Sequence, residues 1–244
     1  MKRKAAFFDI DGTIFRSSLL IEVTEAMIQS GVFGPHSDRL RRMYAKSYRR
    51  WLDRKGPYEE YIGGVIKAFE GHIKGVRHDW FMKVAETVVD FHRNRVYRYT
   101  SELVRDLKKR GYFLVAISNS PRDVLLPFCK KLGFNKIYGR IYEVDESGQC
   151  TGKTMYLDLI SDKEKILRRA VEHNDLTLKG SIGVGDTQSD IPFLKAVEKP
   201  VCFNPNMELY RHAKRHGWTV VIERKDIIHE VKFCEGGKKA EVVC

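Results

Sequence analysis

A chain of 244 residues with 43% hydrophobic content has material for a core domain with or without a smaller companion, which excludes a disordered protein. Its 44 basic residues against 32 acidic ones give a formal charge of +12, a balance that favours anionic partners such as phosphorylated metabolites, nucleic acids or anionic lipids and says nothing of fold. No apolar run approaches a membrane span, the run behind MKRK is broken at once by two aspartates and so is no secretory signal, and five scattered cysteines (Cys129, Cys150, Cys202, Cys234, Cys244) lack metal-ligand spacing; the expectation is a cytoplasmic protein with reduced thiols.

Ala5 to Phe8 is a short apolar run that reads as a buried strand stopping at Asp9. Alternate residues of a strand share a face, so Asp9 and Asp11 leave its end on one side. Two like charges that close repel unless a cation or a shared proton relieves them. Gly12 lets the backbone turn tightly. Paired carboxylates at a strand's carboxyl end, followed by a turn, make a site for a divalent metal and a phosphate, although an Asp-Gly turn after a strand is also common without one.

From roughly Ser17 to Arg95 the chain reads as helical. Leu19, Leu20, Val23, Met27 and Ile28 recur at helical spacing, and Gly31, Gly34 and Pro35 end that helix. Asp38 is placed to cap the next one, which carries Leu40, Met43, Tyr44, Tyr48, Trp51 and Leu52 as an apolar stripe. Gly56 and Pro57 break the chain; Tyr58 to Glu70, weakened by Gly63 and Gly64, and His78 to Arg93 read as the third and fourth helices. The second helix also holds Arg39, Arg41, Arg42, Lys46, Arg49, Arg50, Arg54 and Lys55 against a single acid, Asp53. With Tyr44, Tyr48 and Trp51 interleaved, Arg39 to Lys55 suits either a nucleic-acid or anionic-substrate surface, or a core-facing aromatic stripe with a solvated basic back.

The rest alternates. Thr100 to Arg110 is a helix stopped by Gly111, and Tyr112 to Ser118 a buried strand; Pro121 sits where a first helical turn starts, and that helix runs to Leu132. Ile141 to Val144 and Cys150 to Thr154 flank DESGQ as a hairpin. Asp162 to Asn174 is helical, Ser181 to Asp186 is another buried strand ending in an aspartate, and Ile191 to Val197 is helical. Pro200 to Phe203 is a strand, Met207 to His216 a helix, and Trp218 to Ile222 the last strand, with a loose tail from about Cys234. This order argues a parallel sheet covered by helices on both faces.

The Asp9 turn, a strand ending in Ser118, Lys163 and the stretch GVGDTQSD from Gly183 to Asp190, in that order, resemble the haloacid dehalogenase superfamily, and within it the phosphoserine-phosphatase-like branch (subfamily IB). NPNMELYRHAKRHGW from Asn204 to Trp218 and the TG pair Thr151–Gly152 are similar to that branch too. The resemblance covers nearly the whole chain except about Arg16 to His92, where only placement matches. It implies an α/β protein with a Rossmann-like core (1–15 and 96–244) and an inserted all-helical cap of C1 type (16–95).

The resemblance also assigns chemistry. Asp9 is the nucleophile that forms an aspartyl-phosphate, and Asp11 the general acid and base. Asp11 counts against dehalogenation, which needs only the first carboxylate. Mg²⁺ is held by the Asp9 side chain, the Asp11 backbone carbonyl and the Asp186 side chain, an oxygen set that suits a hard cation. Asp190 stands behind them, unless it is merely a helix N-terminal charge. Ser118 and Asn119, before a helix start, bind a phosphoryl oxygen, or form an ordinary turn. Lys163 is the charge on the transferring group, with Lys165 and Lys153 as competitors.

Two departures bear on substrate. Ser18 stands where phosphoserine phosphatases carry a glutamate for the substrate's amino group, with Glu22 one turn on, and Ser189 replaces an asparagine found in many relatives. The histidines show no ligand spacing. The reading is a Mg²⁺-dependent phosphatase acting on a small phosphomonoester, against a phosphotransferase or mutase with the same intermediate, or a nucleic-acid binder using Arg39 to Lys55.

Overall fold

The computed structural model describes residues 2–34, 37–233 and 240–243. Its first strand, β1 (Arg3–Asp9), is followed by four helices, α1 (Leu19–Gln29), α2 (Ser37–Leu52), α3 (Tyr58–His72) and α4 (His78–His92). The chain then runs α5 (Arg98–Lys109), β2 (Phe113–Pro121), α6 (Arg122–Leu132), β3 (Lys136–Val144), β4 (Cys150–Met155), α7 (Leu157–Ile160), α8 (Lys163–His173) and β5 (Leu176–Gly185). A 3₁₀ turn (Gln188–Asp190) leads into α9 (Ile191–Leu194), β6 (Lys199–Phe203), α10 (Met207–His216), β7 (Thr219–Arg224), β8 (Ile227–Phe233) and β9 (Ala240–Val243).

All nine strands join one sheet in the order β4-β3-β2-β1-β5-β6-β7-β8-β9. The central strands are parallel; β4, β8 and β9 pair antiparallel at the two margins, so the sheet is mixed and not all-parallel. β7 is therefore not the last strand. The polar residues of β8 hid it from an apolar-run reading, because an antiparallel marginal strand need not be buried on both faces. A loose tail was expected from about Cys234, but Ala240–Val243 pair with β8 as β9; residues 234–239, Pro35 and Cys244 lie outside the described residues.

Strand periodicity splits the core in two. Ala6 and Phe8 of β1 point into the layer with α1–α6, and Ala5 and Phe7 into the layer with α8–α10. The four inserted helices, α1–α4, place all their buried apolar residues in the first layer. Their two connections run together: Phe15 bridges Val96 antiparallel, and the Arg16 amide donates to the Arg95 carbonyl at 3.0 Å. α2 and α3 approach closely because Gly64 has no side chain; a Cβ there would stand 2.8 Å from the Cβ of Tyr44.

Two local expectations differ. α2 begins at Ser37, so Asp38 lies in its first turn and not at the N-cap position before it. Pro121 ends β2 and occupies the N-cap of α6, one residue before the first turn. β1 has β2 on one side and β5 on the other, with their connections leaving in opposite directions, and such a switch point opens a crevice beyond the strand ends.

Candidate active site

β1 delivers Asp9 to that crevice, where it is 5% exposed. After Ile10 the chain folds back on itself: the amides of Ile14 and Phe15 both donate to the Ile10 carbonyl, at 2.9 and 2.8 Å. Gly12 adopts φ +81° in this turn, and a Cβ on it would fall 2.2 Å from an Asp186 oxygen, so only glycine allows the Asp9 turn to meet Asp186. The Thr13 hydroxyl donates to Asp186 Oδ1 at 3.2 Å.

Lys163 opens α8, whose start is capped by Asp162 accepting from the amides of Glu164 and Lys165. Its Nζ donates to Asp9 Oδ1 at 2.6 Å and to Asp190 Oδ1 at 2.5 Å, with only 6% of the residue exposed. Burial alone would pull the Lys163 ammonium down, but Asp190 and Asp9 outweigh it and the net shift is upward, keeping the lysine charged. The competing lysines are elsewhere on the surface: the side chains of Lys165 and Lys153 are 63% and 78% exposed.

The second oxygen of Asp190 accepts from the amides of Asp186 and Thr187 at 2.9 and 3.0 Å. Asp190 thus ties the lysine to the loop after β5 and also serves a capping box on the 3₁₀ turn. Carboxylate oxygens of Asp9, Asp186 and Asp190 lie within 4.8 Å of one another. Burial, followed by the neighbouring carboxylates, raises Asp186 well above the usual carboxylate range. Asp9 is raised too, by burial and then by Asp190 and Asp11 against the opposing pull of Lys163. Since Asp190 commits both oxygens to donors, Asp9 and Asp186 are the pair left to hold a hard cation. An all-oxygen donor set under mutual repulsion fits such an ion.

Asp11 faces the other way. Its Oδ1 accepts from the Leu19 amide at 2.6 Å, and its Oδ2 from the hydroxyls of Ser118 at 2.5 Å and Ser120 at 2.8 Å. The Ser18 side chain makes no cap on α1, so Asp11 and Ser120, which accepts from the Leu20 amide at 3.1 Å, do that work from the core. Burial raises the Asp11 carboxyl, with the Ser118, Leu19 and Ser120 donors pulling back. Alternation along β2 buries Ser118 and Ser120 and leaves Asn119 exposed, where it lines the crevice. Ser120 was legible as Ser118's same-face neighbour two residues on; Thr13 and Tyr58 carried no sequence signal.

The crevice encloses about 1190 Å³ between this floor and a roof from α1–α3. Arg41, Tyr44, Tyr48, Arg49 and Trp51 of α2 and Tyr58 and Tyr61 of α3 line it. The aromatic stripe is therefore only partly core-facing: Leu40 and Tyr44 are buried, while Tyr48, Trp51 and Leu52 look into the crevice and solvent. Of the basic residues beside them, Arg41 pairs with Glu25 and Arg50 with Glu60. Ser189 lines the crevice and bonds the Thr187 hydroxyl. Cys129, Cys150 and Cys202 are buried free thiols. Among the described residues no helix is long and apolar enough to cross a membrane.

Comparison with known proteins returns the haloacid dehalogenase-like hydrolase family over residues 6–195. The chain is 24% identical over 230 residues to the "Inhibition of morphological differentiation protein" of Streptomyces azureus, covering 91% of this chain and 79% of that one. It is 28% identical over 150 residues to a histidinol-phosphatase of Neisseria meningitidis serogroup C (strain 8013), covering 56% and 67%. A phosphoserine phosphatase solved as a phospho-aspartyl intermediate analogue superimposes with a TM-score of 0.60 at 19% identity, over 93% of this chain and 96% of that one.

Proposed function

Because the chain belongs to the haloacid dehalogenase-like hydrolases, we propose that it is a Mg²⁺-dependent phosphatase that cleaves a small phosphomonoester through an aspartyl-phosphate on Asp9. The observation that carries this reading is the Lys163 ammonium, held 2.6 Å from Asp9 and 2.5 Å from Asp190. A fixed positive charge beside a buried carboxylate opposes the effect of burial on that carboxylate and stands next to the place where a phosphoryl group would arrive. The histidinol-phosphatase name of one relative points the same way.

Asp9 attacks phosphorus; its Oδ–P bond forms as the bond from phosphorus to the ester oxygen breaks. Asp11, whose carboxyl burial raises, turns from its Ser118 and Ser120 donors into the crevice and gives its proton to the departing oxygen. It then takes a proton from the water whose oxygen replaces Asp9 on phosphorus, which regenerates the Asp9 carboxylate. Lys163 and the Asn119 side of the crevice hold phosphoryl oxygens, and Ser118 and Ser120 orient Asp11. Asp9, Asp186 and the Asp11 carbonyl would hold Mg²⁺, which when bound supplies the positive charge that lets two anions meet. Residues 1–15 and 96–244 form the catalytic core in this reading, and 16–95 a cap over it that chooses the ester.

The mechanism is tested by hydrolysis of p-nitrophenyl phosphate. EDTA is expected to abolish turnover and added Mg²⁺ to restore it, and Asp9→Asn to abolish it irrecoverably. Turnover that survives either treatment overturns the mechanism.

A further inference from the structure

The roof of the crevice is built of rings. Tyr44, Tyr48 and Trp51 recur at i, i+4 and i+7 along α2 and so share one face, opposite Tyr58 and Tyr61 of α3. Tyr61 is the hub, with its centroid 4.9 Å from Tyr48, 5.5 Å from Trp51 at an interplanar angle of 20°, 6.0 Å from Tyr58 and 6.1 Å from Tyr44. Tyr44 and Tyr61 are buried, but Tyr48 and Trp51 keep 39% and 37% of their surface open. Both line the space that also contains Asp9. Large rings left open at the mouth of a crevice, on a scaffold that buries their neighbours, have ring surface to offer a ligand.

Tyr58 joins this roof to the floor. Its ring centroid is 5.6 Å from Trp51, and its hydroxyl bonds Ser18 and feels the charges of Asp11 and Asp186. Tyr58 therefore stands between the carboxylates and the open rings, in the space that both line.

The charges decide which kind of group. Rings attract a cation by themselves, and an unpaired acid among them would strengthen that attraction. Both roof acids are taken: Glu22 pairs with Arg95 at 2.7 Å and His92 at 3.1 Å, and Glu25 with Arg41 at 3.0 Å while accepting from the Tyr44 hydroxyl at 2.5 Å. Arg16 and Arg49 line the crevice with no carboxylate partner among the described residues. In the roof the balance is positive, Arg16, Arg41, Arg49 and Arg95 against Glu22 and Glu25, which disfavours an ammonium group there despite the rings.

We propose that the substrate is a phosphate monoester whose alcohol carries a flat, uncharged or anionic aromatic ring, stacked on Tyr48 and Trp51. This rests on the phosphomonoesterase reading of the same site. It goes beyond that reading by naming what the leaving group must contain.

Three esters with the same two-carbon linker test it: 2-phenylethyl phosphate, 2-cyclohexylethyl phosphate and phosphocholine. The wild-type protein is expected to prefer the phenyl ester to the cyclohexyl ester in kcat/KM by about two- to tenfold, the range of aromatic pairing beyond area burial. Phosphocholine is expected to be the poorest of the three. Tyr48→Leu and Trp51→Leu, which keep apolar bulk, are expected to bring the phenyl-to-cyclohexyl ratio close to one, and Tyr48→Phe to preserve it. Equal handling of the two rings by the wild type, or a preference for phosphocholine, overturns the proposal. Calorimetric binding of the same esters to the Asp9→Asn protein with Mg²⁺ separates the two readings. Phenyl-selective binding without turnover in the wild type sinks the hydrolytic reading and upholds this one. Turnover of all three esters without selectivity does the reverse.

Discussion

The floor and the roof of the crevice treat polar groups in opposite ways. On the floor, Asp9, Lys163 and Asp190 are almost wholly buried, and burial, with like charges beside it, pushes Asp9 and Asp186 well above the ordinary carboxylate range. In the roof, the acids Glu22 and Glu25 are each matched by a base, and the surface turned inward is aromatic. A wall that serves stability neutralises its charges and covers its rings. The floor fails the first requirement and the roof the second. Each failure marks a different role in the proposed reaction. In that proposal the floor would hold a cation and a phosphoryl group, and the roof the rest of the ester.

Mutations can break or sharpen that contrast. The largest effect is expected on the floor, where Asp9→Asn should reduce kcat by at least about a thousandfold while the far-ultraviolet circular dichroism stays that of the wild type. A reduction of a few fold would make the floor a structural ion cluster. In the roof, Gly64→Ala puts a Cβ 2.8 Å from the Cβ of Tyr44 and 3.3 Å from its Cα, and should cost about 1–3 kcal/mol by pushing α2 from α3, read from urea unfolding. No change there would show that α2 is free to shift and that the rings are not held in register.

Asp186→Asn should move the other way. It relieves the repulsion among Asp9, Asp186 and Asp190, and in EDTA the variant should melt about 2–4 °C above the wild type, for roughly 1 kcal/mol, although it is inactive. A lower melting temperature would mean that the carboxylate holds the loop instead of waiting for a cation. The smallest effect is alkaline. Burial pushes the Tyr61 phenol up to about 12, so the folded state favours its neutral form. That contribution is complete below the unfolded phenol value of about 10 and is lost as pH rises toward 12. Tyr61→Phe should flatten the fall in melting temperature between about pH 10 and 11.5; an unchanged slope would remove Tyr61 as a source of that fall.

Local spacing was enough to read much of this protein. The apolar runs before Asp9, Ser118 and Asp186, each closed by a polar residue, announce strands whose ends carry chemistry, and Asp162 with Lys163 announces a helix start. These signals depend on a residue's near neighbours, through strand alternation, capping and the turn that Gly12 permits. β8 lacked such a signal because His229, Glu230 and Lys232 interrupt its apolar residues, and the ring-lined roof was not separable from a core stripe because helical periodicity shows which residues share a face and not what that face meets. Only the tertiary structure decided that Lys163 lies against Asp9, 154 positions away, that Asp11 is turned toward Ser118 and Ser120, and that Tyr48 and Trp51 open onto the same space as the carboxylates. Those meetings depend on how the layers pack across the sheet, a long-range balance of burial and charge that no short window of sequence contains.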